Sequence, residues 1–348
     1  MTRRDFLQTS ASLVATAPLL RAESASVTAP IKIGFLGGSH SHGLGKAKVL
    51  QQNADWDIVG VVDASPEVLA RYAKLGIKSI TQEELLAQAQ VVVVESDVAD
   101  HYAHGKLALE AGKHLHIEKP PTMTLDEFRE LLGIAKSEKL LMQMGYMWRF
   151  NPGVVAALNA ATEGWLGEVY MVKAEINKLM TKESRPELAF QGGSMFELGC
   201  HIIDPVVRLL GRPEKVTTHL KSSGGYNDHI VDNAIAIFDY PNATAIVGSA
   251  VVHPRGGAYR HLYIYGTNGT IRVEPLDRPV MTVELNDAAG PYKAGMQTVN
   301  FDPYSRYVGE FRELASAIRS GKQLGVTPEA DLLVHEALLR ACDIIVGD

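Results

Sequence analysis

Between Ile31 and Gly145 five short β-rich runs alternate with amphipathic helical runs, and few architectures accommodate that rhythm. Each strand must return parallel to the last through a helix, which predicts a doubly wound parallel α/β sheet. The runs are Ile31–Leu36, Trp56–Val62, Val91–Val94, His114–Ile117 and residues 140–145; the four consecutive valines suit a strand covered on both faces. Ser65-Pro66 supplies a helix N-cap and a first-turn proline. Thr81 with Glu84, and Thr124 with Glu127, read as capping boxes, while Gly76 and Gly112 close helices.

Nucleotide chemistry in such a sheet belongs to the turn after the first strand, here Gly37-Gly38-Ser39-His40-Ser41-His42. A dinucleotide fingerprint starting at Gly37 places Ser39 and His42 where second and third glycines would stand, so the fingerprint is degraded. Gly37 and Gly38 still meet the demand for a tight turn whose amides approach a pyrophosphate at a helix N-terminus. Asp63, at the end of the second strand, is placed to accept hydrogen bonds from an adenosine ribose and to repel a 2′-phosphate, which favours NAD over NADP. Ser39, His40 and His42 join the cofactor-side candidates, with Ser96 after the third strand and Glu118 and Lys119 after the fourth. Two histidines in a phosphate turn, without a further ligand cluster, are not read as a metal site.

Composition narrows the remaining classes. A formal charge of −6, without a basic block, argues against nucleic acid as partner. No apolar run reaches the roughly 18 residues of a membrane span. Two cysteines, Cys200 and Cys342, cannot build a disulfide framework or a four-cysteine zinc site. Residues 1–29 stand apart: Arg3-Arg4 followed by Phe6-Leu7, a short apolar stretch and small residues read as a twin-arginine export signal, which implies a periplasmic protein. Residues 30–150 are then the Rossmann domain and residues 151–348 a second α/β domain. That second part has β-rich runs at 169–176, 216–220, 234–240, 243–252, 261–265 and 270–273, with few intervening helices, hence a large, mostly antiparallel sheet. Its open face is a natural surface for a homodimer or homotetramer. Helices at 305–320 and 328–345 finish the chain.

Lys119, beside Pro120 at the carboxyl end of the fourth strand, faces the crevice where a nicotinamide belongs, and a lysine there can polarise a carbonyl oxygen. Residues 194–210 have helical spacing, and Glu197, His201 and Asp204 fall on one face, so a carboxylate can orient the imidazole as a proton acceptor. Tyr146, Arg149 and Asn151 leave the last strand near the same crevice and are substrate-side candidates together with Asp204.

Three segments resemble the Gfo/Idh/MocA family of oxidoreductases: Ala111-Gly112-Lys113-His114 running into Glu118-Lys119-Pro120; residues 145–152, reading Gly-Tyr-Met-Trp-Arg-Phe-Asn-Pro; and residues 192–204, ending in Gly199-Cys200-His201-Ile202-Ile203-Asp204. The likeness runs from Ile31 to near the C-terminus. It implies hydride transfer between NAD(P) and a secondary carbon of a sugar, cyclitol or related polyol. It also implies that Lys119 contacts the reacting oxygen and that His201 accepts the proton. Glu197 stands where the family usually has aspartate, and His101 matches a recurrent family histidine. Two rivals use the same fold: a glycoside hydrolase that oxidises its sugar transiently with bound NAD, and a dinucleotide-binding module without activity.

Overall fold

The computed structural model describes residues 29–346; the export-signal reading lies almost wholly on residues outside that range. Five parallel strands, β1 (Ile31–Leu36), β2 (Trp56–Val62), β3 (Val91–Val94), β4 (His114–Ile117) and β5 (Met142–Met144), form the first sheet in the order β2-β1-β3-β4-β5. The crossovers carry α1 (Gly43–Gln51), α2 (Pro66–Ala73), α3 (Gln82–Gln88), α4 (His101–Glu110) and α5 (Leu125–Ser137). The expected punctuation is present. Ser65 caps α2 through Val68 N, and reciprocal capping boxes at Thr81/Glu84 and Thr124/Glu127 start α3 and α5. All four valines of β3 are fully buried, as a central strand covered by helices on both faces requires.

Asn151 then caps α6 (Pro152–Thr162), which leads into β6 (Val169–Asn177). After α7 (Cys200–Leu210) the second sheet is completed by β7 (Lys215–Lys221), β8 (Asn233–Asp239), β9 (Thr244–Ala250), β10 (His261–Gly266), β11 (Gly269–Val273), β12 (Val280–Leu285) and β13 (Gly295–Asn300). Its order is β13-β12-β11-β10-β6-β9-β8-β7, antiparallel except for the β6–β9 pair. The expected fold class holds, with two strands more than the sequence reading found. β13 is nearly all solvated, so it carries no strong apolar alternation; β12 does alternate, burying Met281, Val283 and Leu285.

The chain closes with α8 (Val308–Ser320) and α9 (Pro328–Ala341), which return to the first sheet. The Phe311 ring packs against Trp56 and His116, Gln143 donates to the Glu310 carbonyl, and His335 meets Thr122 and Phe128. The C-terminal helices therefore share a core with the first sheet.

Candidate active site

Gly37 makes the turn after β1 with φ +76°. A Cβ there would lie 2.4 Å from Ser96 Cβ, so only glycine lets the β1 and β3 loops come together. Gly38 N donates to Asp63 Oδ2 at 2.7 Å, while Asp63 Oδ1 accepts from Ser65 N. Asp63 thus ties the glycine turn to the end of β2, beside the N-terminus of α1. Ser39 Oγ donates to Asp97 Oδ1 at 2.7 Å. This cradle, with backbone amides at a helix start and a carboxylate at the end of β2, suits a dinucleotide.

Beneath the turn lies a buried charge network. Lys46, fully enclosed on α1, donates to Glu95 Oε1 and Glu118 Oε2. His42 Nδ1 lies 3.2 Å from Glu118 Oε1, and His40 Nε2 lies 3.6 Å from Glu197 Oε1. Burial opposes charge on His40, but Glu118, Glu197 and Glu95 outweigh it and carry its pKa up to about 9. Glu310 on α8 is fully enclosed, neither of its oxygens has a partner among the described residues, and burial pushes its pKa up to about 8.

Lys119 points from the loop after β4 to Glu197, donating to its carboxylate at 2.6 Å and to its backbone carbonyl at 2.9 Å. Burial disfavours both charges, yet the pairing overrides it: Lys119 is held above its ordinary pKa and Glu197 drops to about 2. His201, 2% exposed on α7, is the opposite case. Burial, reinforced by Lys119, keeps its pKa well below 6.5, so the ring is neutral at neutral pH. Its Nδ1 has no hydrogen-bond partner among the described residues. Ser39, His40, His42, Lys119, Glu197 and His201 share one cavity of about 700 Å³.

Residues 31–146 match the model of an oxidoreductase family with an NAD-binding Rossmann fold, and residues 154–272 match the GFO/IDH/MocA C-terminal domain. The chain belongs to the Gfo/Idh/MocA family. An uncharacterized oxidoreductase of Escherichia coli is 32% identical over 179 residues, covering 50% of this chain and 52% of that protein. An uncharacterized oxidoreductase of Schizosaccharomyces pombe is 35% identical over 164 residues, covering 45% of this chain and 44% of that protein, so the chain spans about half the length of these two relatives. An NADP(+) scyllo-inositol 2-dehydrogenase of Bacillus subtilis is 25% identical over 332 residues, 87% of this chain and 90% of that one. The aldose-aldose oxidoreductase of Caulobacter crescentus, solved with glycerol, superposes with a TM-score of 0.77 at 20% identity, covering 90% of this chain and 98% of that chain; it shows the shared fold.

Several residues of this Gfo/Idh/MocA chain sit elsewhere than their spacing implied. Residues 195–199 wind as a π-helical turn before α7 begins, so Glu197 and His201 are out of α-helical register. Glu197 takes Lys119, and no hydrogen bond joins it to His201. Arg149 and Asp204, expected at the substrate, are buried against each other at 2.6 Å, with Asp331 of α9 as the second partner of the guanidinium. Asn151 is fully buried as the α6 cap and donates to the Leu276 carbonyl. Tyr146 is 2% exposed, its ring under the Arg149 guanidinium and 6.3 Å from the His201 ring. His101 is enclosed, its two nitrogens facing the Pro120 and Ser96 carbonyls, and Ser96 Oγ meets His104, so both serve the protein's own loops. Lys46 and Glu95 were not found from the sequence. Nor were Lys178, Arg260 and Arg306, which reach the cavity from the second half of the chain. Lys46 carried a signal in hindsight: a lone lysine on the buried face of α1, beside Ala47 and Leu50.

Proposed function

We propose that the protein is an NAD(P)-dependent oxidoreductase acting on a secondary carbon of a sugar, cyclitol or related polyol, with NAD the favoured cofactor. The observation that carries this reading is the pairing, in one cavity, of a charged lysine with a neutral histidine. An ammonium has three protons to donate. Lys119 spends two on Glu197, which leaves one N–H for a substrate oxygen. His201 Nδ1 is sealed in, so Nε2 is the nitrogen through which the ring takes the hydroxyl proton. Gly37, Gly38, Ser39 and Asp63 would hold the dinucleotide at the turn and the end of β2, and a nicotinamide bound there supplies hydride acceptance or donation. Negative charge developing on the substrate oxygen is met by Lys119, itself buried, where such a contact is strong. The cations Lys178, Arg260 and Arg306 offer donors to the remaining hydroxyls.

The relatives' names support the substrate class, one acting on a cyclitol and one on aldoses. Asp63 supports NAD, because a carboxylate there disfavours a 2′-phosphate. The twin-arginine segment supports export of the folded protein, and the open face of the second sheet, with Tyr170, Ile235 and Met296 exposed, supports self-association. The test is to denature purified protein, identify any released dinucleotide by mass spectrometry, and then screen sugars and cyclitols for nicotinamide reduction. A released or tightly binding NAD and a polyol that reduces it are expected. Protein that binds no dinucleotide would overturn the proposal.

A further inference from the structure

We propose that His40, His42 and Glu118 form a binding site for one divalent transition-metal ion of the zinc class. His40 and His42 leave the glycine turn with their rings 4.6 Å apart, one edge-on to the other. Glu118 reaches them from the end of β4, its Oε1 3.2 Å from His42 Nδ1 and its Oε2 4.0 Å from His40 Nδ1. One ligand atom from each residue lies within 4.8 Å of the others. Ligands on a tetrahedral ion with bonds of about 2.1 Å lie roughly 3.4 Å apart, so only small side-chain rotations close the set. Two imidazoles and one carboxylate are the donor set of open, three-ligand zinc sites, and nitrogen with carboxylate oxygen suits zinc, cobalt, nickel or iron(II) over calcium or magnesium.

The surroundings are built for such an ion. Lys46 holds Glu118 Oε2, which turns Oε1 toward His42, as an outer partner fixes a ligating carboxylate. Glu95 is fully buried, and its Oε2 has no hydrogen-bond partner among the described residues while facing His40 Nδ1 at 3.7 Å. Glu95, Glu118 and Glu197 bring three carboxylates against Lys46, Lys119 and the His40 ring, so a metal ion entering the site would take the place of the His40 proton among the same carboxylates. The open positions of the ion would face the cavity that holds Lys119 and His201, the His42 and His201 rings being 6.0 Å apart. The metal site stands on these residues alone and does not depend on the function proposed above.

The test uses full-length, tag-free protein, stripped with a chelator and titrated with Co²⁺, followed by competition with Zn²⁺. One equivalent of Co²⁺ per chain, with visible d–d absorption that Zn²⁺ abolishes, is the expected result. His42→Ala and Glu118→Gln should each weaken binding by at least ~10-fold. Thermal unfolding of each variant, and His42→Gln as a milder change, separate lost ligation from lost folding. Absent uptake in the unaltered protein, or uptake that His42→Ala and Glu118→Gln leave unchanged, would overturn the site. Dinucleotide content is measured on the same samples: NAD without Co²⁺ uptake overturns the metal site alone, while Co²⁺ uptake without any dinucleotide supports the metal site and overturns the oxidoreductase reading.

Discussion

Glu197 grips Lys119 twice, through its carboxylate at 2.6 Å and through its own backbone carbonyl at 2.9 Å. One residue therefore fixes both the charge and the direction of the ammonium. Removing the carboxylate leaves Lys119 buried with one partner fewer, and truncating one side of a buried pair is costly. Glu197→Ala is expected to lower kcat by roughly 10- to 100-fold, in the range of a lost positioned charge contact. Glu197→Gln, which keeps an acceptor, should recover part of that loss. Steady-state kinetics on the three proteins checks this; equal kcat values would refute the positioning role.

Lys119 and His201 are tuned in opposite directions, and under the proposed function this sets the pH profile. Burial and the neighbouring Lys119 hold His201 well below 6.5, so the ring stays neutral down to mildly acid pH. Lys119 stays protonated above its ordinary range. For oxidation, kcat/KM should therefore rise through an acidic limb below pH 6.5 and then stay level through the neutral and mildly alkaline range. A limb at the ordinary histidine value, measured in kcat/KM against pH, would remove His201 from that role.

Glu310 predicts a separate stability effect. Its carboxyl is raised from 4.5 to about 8, so the folded state holds a proton that the unfolded chain releases at lower pH. The folded state binds more protons across that window, and stability must fall as pH rises from 4.5 to 8. Glu310→Gln removes the titration. The variant should gain roughly 1–3 kcal/mol over the unaltered protein at pH 8, the scale of a buried unsatisfied polar group, and little at pH 4.5. Denaturant unfolding at both pH values measures it.

Arg149 should behave as a structural residue. It joins Asp204 of α7 to Asp331 of α9, and losing it strands two buried carboxylates. Arg149→Met is expected to cost about 3–5 kcal/mol of stability. Adding Asp331→Asn should restore part of this, while KM of the folded fraction stays near that of the unaltered protein. A large KM change at unchanged stability would return Arg149 to the substrate.

The sequence disclosed what local physics decides. Alternation and caps gave the parallel sheet, and the end of β4 gave Lys119, because those signals repeat over many residues. Three kinds of feature were not legible. The π turn at Met195–Gly199 has no distinctive composition, yet it separates Glu197 from His201. Arg149 and Asn151 look alike as surface donors or buried anchors until Asp331 and Leu276, more than a hundred residues on, arrive beside them. Nothing in the sequence set Glu118 beside the two turn histidines, because it reaches them only through the strand order.

Export of a folded enzyme would separate it from the cytoplasmic dinucleotide pool, so the cofactor should travel bound. Protein recovered after export is expected to be shorter by an N-terminal signal segment, by mass. It should also retain dinucleotide through extended dialysis. Rapid loss of NAD would contradict retention.

The central claim is that Lys119 and His201 together move a proton and steady an oxygen while a nicotinamide changes oxidation state. Its most direct test is the absorbance of reduced nicotinamide when the NAD-loaded protein meets a panel of sugars and cyclitols, alongside Lys119→Ala and His201→Ala. At least one polyol should generate that absorbance. The His201 variant should react ~10²- to 10⁴-fold more slowly, and the Lys119 variant should be inactive with its NAD still bound. Undiminished reduction in both variants, or none with any polyol in the NAD-loaded unaltered protein, would contradict the claim.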